Sequence, residues 1–134
     1  MSKTYRGSCH CGKIRFEADI DLSHGTTKCN CTFCWKSRLW GAHIRPDAFR
    51  LLAGDDALAS SPGSTKTTGG RRCAACGIFC FFLGEASEWN DGDYVSINLA
   101  ALDDLDPGEL VAAPVSYLDG RADTWAPLEE HRHL

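Results

Sequence analysis

Seven cysteines in three tight clusters constrain this chain more than any other feature. They read C-x-C at Cys9 and Cys11, C-x-C-x-x-C at Cys29, Cys31 and Cys34, and C-x-x-C at Cys73 and Cys76. A C-x-x-C turn brings two sulfurs to one side, as two vertices of a tetrahedral zinc site require. Cys29 falls on the same face as Cys31 if the backbone between them is extended. One short segment can therefore offer three thiolates to one metal. Three protein ligands leave a fourth tetrahedral position open, the pattern of a catalytic zinc, whereas four close a structural one. The two remaining pairs, Cys9 with Cys11 and Cys73 with Cys76, make such a four. Joined, they fasten the start of the chain to its middle and contribute folding free energy directly. Spacing alone does not state which knuckle pairs with which.

Cys80 stands apart, inside the apolar run Ile78-Phe79-Cys80-Phe81-Phe82-Leu83. A buried lone thiol behaves as a small hydrophobe, so Cys80 is expected in the core. The competing reading makes it the eighth ligand of two closed four-thiolate sites, and the protein a structural module. Disulfides are the other use of cysteine. The start, Met1-Ser2-Lys3-Thr4-Tyr5-Arg6, carries no apolar stretch of signal-peptide type, which favours metal binding and a cytoplasmic location. No apolar run approaches the ~20 residues of a membrane span. The formal charge of −4 argues against a non-specific nucleic-acid partner, which needs a basic surface.

A chain of 134 residues reads as a single domain, 1–134, with a core of its own. Ile14, Phe16 and Ala18 alternate with Lys13, Arg15 and Glu17, as a half-buried strand does. Residues 78–83 are apolar on both faces and read as a central strand, and residues 94–99 alternate. Shorter strands are expected at 39–44, 49–52, 65–71 and 115–117, and a helical turn at 35–38. Asp19 to Lys28 and Gly54 to Ser64 read as loops, and Ala101 to Glu109 as a turn stopped by proline. The class is mainly β with little helix.

Other side chains carry weaker signals. His43 alternates with Ile44 in a strand and could face the open site or merely pack. Lys36 and Arg38 follow the triple closely, as helpers for an anionic substrate or as a solvated basic face. His10 is expected to point away from the metal, and His131 and His133 to form a solvated end.

The ordered set Gly7-Ser8-Cys9-His10-Cys11-Gly12-Lys13-Ile14-Arg15-Phe16, Cys29-Asn30-Cys31-Thr32-Phe33-Cys34 and Cys73-Ala74-Ala75-Cys76-Gly77 resembles the glutathione-dependent formaldehyde-activating (Gfa-like, CENP-V/GFA) family. The resemblance covers roughly residues 5 to 100, and Trp125 matches a tail tryptophan common in that family. It implies a mostly β zinc fold, the β-tent, with two Zn2+ per chain. It implies that Cys9, Cys11, Cys73 and Cys76 hold a structural zinc and that Cys29, Cys31 and Cys34 hold the catalytic one. The activity it implies is that of a carbon–sulfur lyase, condensing formaldehyde reversibly with glutathione to S-hydroxymethylglutathione. The alternative from another class is a zinc-stabilised protein-binding module, since fold does not fix function. The fourth ligand at the triple discriminates the two.

Overall fold

The computed structural model describes residues 2–87 and 92–134. Among them run ten strands and two short helices: β1 (Lys3–Ser8), β2 (Arg15–Ile20), β3 (Thr26–Cys29), α1 (Thr32–Ser37), β4 (Gly41–Ile44), β5 (Phe49–Ala53), β6 (Leu58–Ser60), β7 (Gly69–Cys73), β8 (Phe79–Gly84), β9 (Tyr94–Asn98), α2 (Pro107–Ala112) and β10 (Val115–Leu118). The fold is mainly β, as the sequence implied. β1, β2 and β5 form a three-stranded sheet. The other seven strands form a second sheet in the order β10-β3-β4-β9-β8-β7-β6. Among the described residues no helix is long and apolar enough to cross a membrane.

The period of two decides what each face of the large sheet does. One face packs on the small sheet. There Phe16 of β2 meets Phe81 of β8 edge-on at 6.3 Å, and Phe49 lies 4.6 Å from Phe81. Ala42, Val95 and Ile97 fill the same core. The alternate residues, Gly41 and His43 of β4, Tyr94 and Ser96 of β9 and Phe82 of β8, turn to the opposite face and floor a wide cleft. β8 lies between β7 and β9, so its two apolar faces serve two purposes: Phe81 joins the core and Phe82 lines the cleft.

Beyond shifted bounds, such as β7 at Gly69–Cys73 for a strand expected at 65–71 and α1 at Thr32–Ser37 for a turn expected at 35–38, three elements differ from the sequence reading. Residues 26–28, expected as loop, form β3 together with Cys29, and β3 pairs in parallel with β10 from the far end of the chain. Only Thr26 and Cys29 of its four residues are buried, so no periodic pattern marks it. Residues 58–60, also read as loop, form the edge strand β6 on β7. Pro107, read as a stop, instead starts α2 at the first helical position, with Asp106 and Glu109 forming a capping box.

Candidate metal centre

Two turns of similar build present the first cluster. At the end of β1, Cys9 N–H donates to Ile14 O (3.2 Å), Gly12 N–H to Cys9 O (3.2 Å), and Ile14 N–H to Cys9 Sγ (3.3 Å). At the end of β7, Cys73 N–H donates to Ile78 O (3.0 Å), Gly77 N–H to Cys73 O (2.8 Å), and Cys76 N–H to Cys73 Sγ (3.4 Å). Gly12 and Gly77 close the two turns at φ of 81° and 82°, a region glycine adopts without steric cost. The turns face each other, with Cys11 Sγ 3.6 Å from both Cys9 Sγ and Cys73 Sγ. All four sulfurs lie within 4.8 Å of one another. Tetrahedral thiolate coordination at ~2.3 Å needs sulfur separations of about 3.8 Å, so the set fits one thiophilic ion. All eight thiols are free, and none is at disulfide distance.

The second cluster comes from one segment. β3 carries Cys29 out of the sheet in extended backbone. Cys31 is then the N-cap of α1, its Sγ accepting Cys34 N–H at 3.3 Å, and Cys29 Sγ accepts Cys31 N–H at 3.3 Å. The three sulfurs lie within 4.8 Å of one another, and among the described residues no fourth Cys, His, Asp or Glu joins them. Burial pushes the Cys34 thiol well above its ordinary value, and the neighbouring sulfur of Cys31 adds to this. Three thiolates so close cannot coexist without a cation. A metal ion supplies that charge, so this set also fits one.

Cys80 belongs to neither cluster. It is fully buried, and its thiol donates to Ile78 O at 3.6 Å. Burial pushes that thiol up to about 12, the environment of a packing residue rather than of a ligand.

The second cluster opens on the cleft of about 1250 Å3 that the outer face of the large sheet floors. Phe33, Phe82, Tyr94 and Trp125 supply much of its wall. His43 is stacked on Tyr94, ring centroids 4.6 Å apart. Its edge reaches solvent, yet the crowded cleft desolvates the ring and lowers its pKa below 6.5. That environment favours the neutral imidazole.

Sequence reasoning missed the role of Asn30. Its amide donates to Asp119 Oδ1 (3.1 Å) and accepts Arg121 N–H (2.9 Å), while its backbone N–H donates to Leu118 O (3.2 Å). The residue between two ligand candidates thus anchors the 119–126 hairpin, which brings Trp125 to the cleft. Gly120 sits so close that a Cβ there would lie 2.5 Å from Cys29 Sγ and 2.9 Å from the Trp125 ring. A glycine in a polar hairpin 90 residues downstream carries no signal of this contact. The expected helpers Lys36 and Arg38 do not line the cleft. Arg38 is the left-handed C-cap of α1 and donates to His133 O at 2.8 Å. Nor is the tail a free end: His131 stacks on Tyr117 at 3.7 Å and His133 lies 5.0 Å from the Trp35 ring.

A family model described as glutathione-dependent formaldehyde-activating enzyme matches residues 4–118. The chain belongs to this family. A crystal structure of a Rhodobacter sphaeroides protein is similar to it, with 26% sequence identity, a TM-score of 0.65, and coverage of 83% of this chain and 99% of the other. The formaldehyde-activating family match takes in all seven clustered cysteines. It ends at Leu118, just before the hairpin that carries Gly120 and Trp125.

Proposed function

We propose that residues 1–134 act as one zinc-dependent carbon–sulfur lyase, working on the adduct of a thiol with formaldehyde or a comparable small aldehyde. The observation that carries this reading is a three-thiol cluster opening on a wide, mostly apolar cleft. In this reading Cys29, Cys31 and Cys34 hold the reactive Zn2+, and Cys9, Cys11, Cys73 and Cys76 hold a structural Zn2+. Free thiols in this number suit a reducing, cytoplasmic setting. A non-catalytic binding module would have no use for an open thiol cluster at the end of a cleft.

The reaction takes R–S–CH2OH to R–SH and CH2O. The carbon–sulfur bond breaks, its electron pair stays on sulfur, and the hydroxyl proton ends on the thiol. Zinc, when bound, supplies Lewis acidity that favours a thiolate over a thiol at neutral pH. His43 is the side chain suited to move the proton. Its imidazole is neutral because burial disfavours the charged form, and Tyr94 fixes its plane by stacking. Phe33, Phe82 and Trp125 give the cleft an apolar wall against which the adduct can pack.

The test is exchange NMR on formaldehyde–thiol mixtures with zinc-loaded protein. Faster interconversion of free thiol and adduct than in buffer is expected, and Cys31→Ser should remove the acceleration. An uncatalysed rate with every thiol tried, on protein holding two zinc ions, would overturn the reading in favour of the binding module.

A further inference from the structure

We propose that this cleft selects its thiol by charge, taking a neutral or cationic thiol and its aldehyde adduct and disfavouring glutathione with its two carboxylates. The inference rests on the lyase reading and names the thiol partner within it. Size does not make the choice. A cleft of about 1250 Å3 exceeds the ~300–1,000 Å3 of ordinary ligand pockets, so glutathione would fit.

Charge makes it. Among the described residues no Lys or Arg lines the cleft, whereas Glu85 and Asp123 do. The nearby arginines are engaged elsewhere. Arg71 is buried and donates to the carbonyls of Thr65, Lys66, Thr68 and Gly70, holding the loop that forms one wall. Arg121 lies over the Trp35 ring at 4.5 Å and donates to Asn30 O, and Arg38 is held by the tail. His43 adds no charge while its imidazole is neutral. The two carboxylates are fixed at the wall: Glu85 accepts the Thr67 hydroxyl at 3.0 Å, and Asp123 accepts the Trp125 indole N–H at 3.1 Å. A dication on three thiolates leaves a net charge of −1, which deepens the negative potential.

Several backbone donors of one wall are already engaged. In the 61–70 wall, Ser61 N–H donates to Gly70 O, Ser64 N–H to Ser61 O, and the N–H groups of Thr67 and Thr68 to Thr65 Oγ1. A carboxylate entering this cleft loses part of its water shell and, among the described lining side chains, meets no Lys or Arg in return.

The test is calorimetry of zinc-loaded protein at low salt with three small thiols: 2-aminoethanethiol, 2-mercaptoethanol and 3-mercaptopropionate. Glutathione and its diethyl ester form a second pair. The expected order is amine, then alcohol, then acid, with the acid about tenfold weaker than the amine and esterification tightening glutathione. Thiol acidity also varies across the set, so the deciding readout is the change of order in variants of equal zinc content. Glu85→Lys should narrow or reverse the order. Asp123→Asn, which keeps shape at a left-handed position that asparagine tolerates, should narrow it. An order that Glu85→Lys and Asp123→Asn both leave unchanged, or glutathione binding more tightly than its ester, would overturn the charge inference and leave the lyase reading standing. Failure of all five thiols to bind would overturn both.

Discussion

Serine at Cys73 and serine at Cys34 remove one ligand each, yet the two variants should fail differently. Cys11 and Cys73, 3.6 Å apart through space, are 62 residues apart in sequence, so the four-thiol cluster closes a long loop. In the chain-entropy model, a clip over that span constrains the unfolded chain by about 4 kcal/mol, whereas one across the Cys29–Cys34 segment is worth about 2 kcal/mol. Cys73 is also fully buried at the end of β7, where β6 and β8 pair on either side. At about 4 °C per kcal/mol for a chain of this length, Cys73→Ser should lower the melting temperature by roughly 15 °C. Cys34→Ser should lower it by no more than about 8 °C on the same scale, because α1 is short and no distant strand depends on its metal. Each variant should lose one zinc of two. The assay is zinc content by chromophoric titration beside thermal melting by circular dichroism. Equal losses of stability, or a Cys73→Ser protein that keeps two metals, would refute the assignment of the two clusters to different roles.

Asn30→Ala should cost about 2 kcal/mol, since it removes the side-chain hydrogen bonds to Asp119 and Arg121, and should loosen the Trp125 hairpin without removing metal. Its Tm and zinc content check both halves. Cys80→Ala should keep both metals and cost about 1 kcal/mol, and loss of zinc from the triple would mean that a protein thiol closes that site. For His43, burial lowers the pKa below 6.5, and the base must be neutral to act. Lyase rate should therefore be flat above pH 6.5 and fall as pH drops below it, and an inflection above pH 7 that His43→Gln abolishes would contradict this. Arg50 and Thr4 hold the Asp19 carboxyl at about 2 against an ordinary 3.8. Its contribution is present above pH 3.8 and disappears as pH falls through 2, so Asp19→Asn should lower Tm at pH 7 and converge on the parent near pH 2.

The cysteine spacing made the metal chemistry legible because ligand geometry is local: C-x-C and C-x-x-C fix sulfur separations within a few residues. Strands β2 and β9 were legible from alternation, and β8 from an unbroken apolar run. β3 and β6 were not, because each is only three or four residues long, and β3 is stabilised by β10 from the far end of the chain. Pro107 was misread because a proline that ends one helix can start another, and only the Asp106–Glu109 box tells which. The cleft was the least legible part. His43, Phe82 and Tyr94 become one surface only after three strands pair. Gly120 and Trp125 reach it through Asn30, whose side chain gives no motif. Lys36 and Arg38 looked relevant by sequence proximity to Cys34, but the helix turns Arg38 towards the tail instead.

In the proposed lyase, Cys29, Cys31 and Cys34 hold a metal with one position left for substrate. A crystal structure measured at the zinc absorption edge tests it most directly. Two anomalous peaks per chain are expected, one inside the Cys9, Cys11, Cys73 and Cys76 thiols. The other should sit on Cys29, Cys31 and Cys34, with a water or added thiol as its fourth ligand. A protein side chain in that fourth position, or a single peak beside a Cys31–Cys34 disulfide in reduced protein, would contradict it.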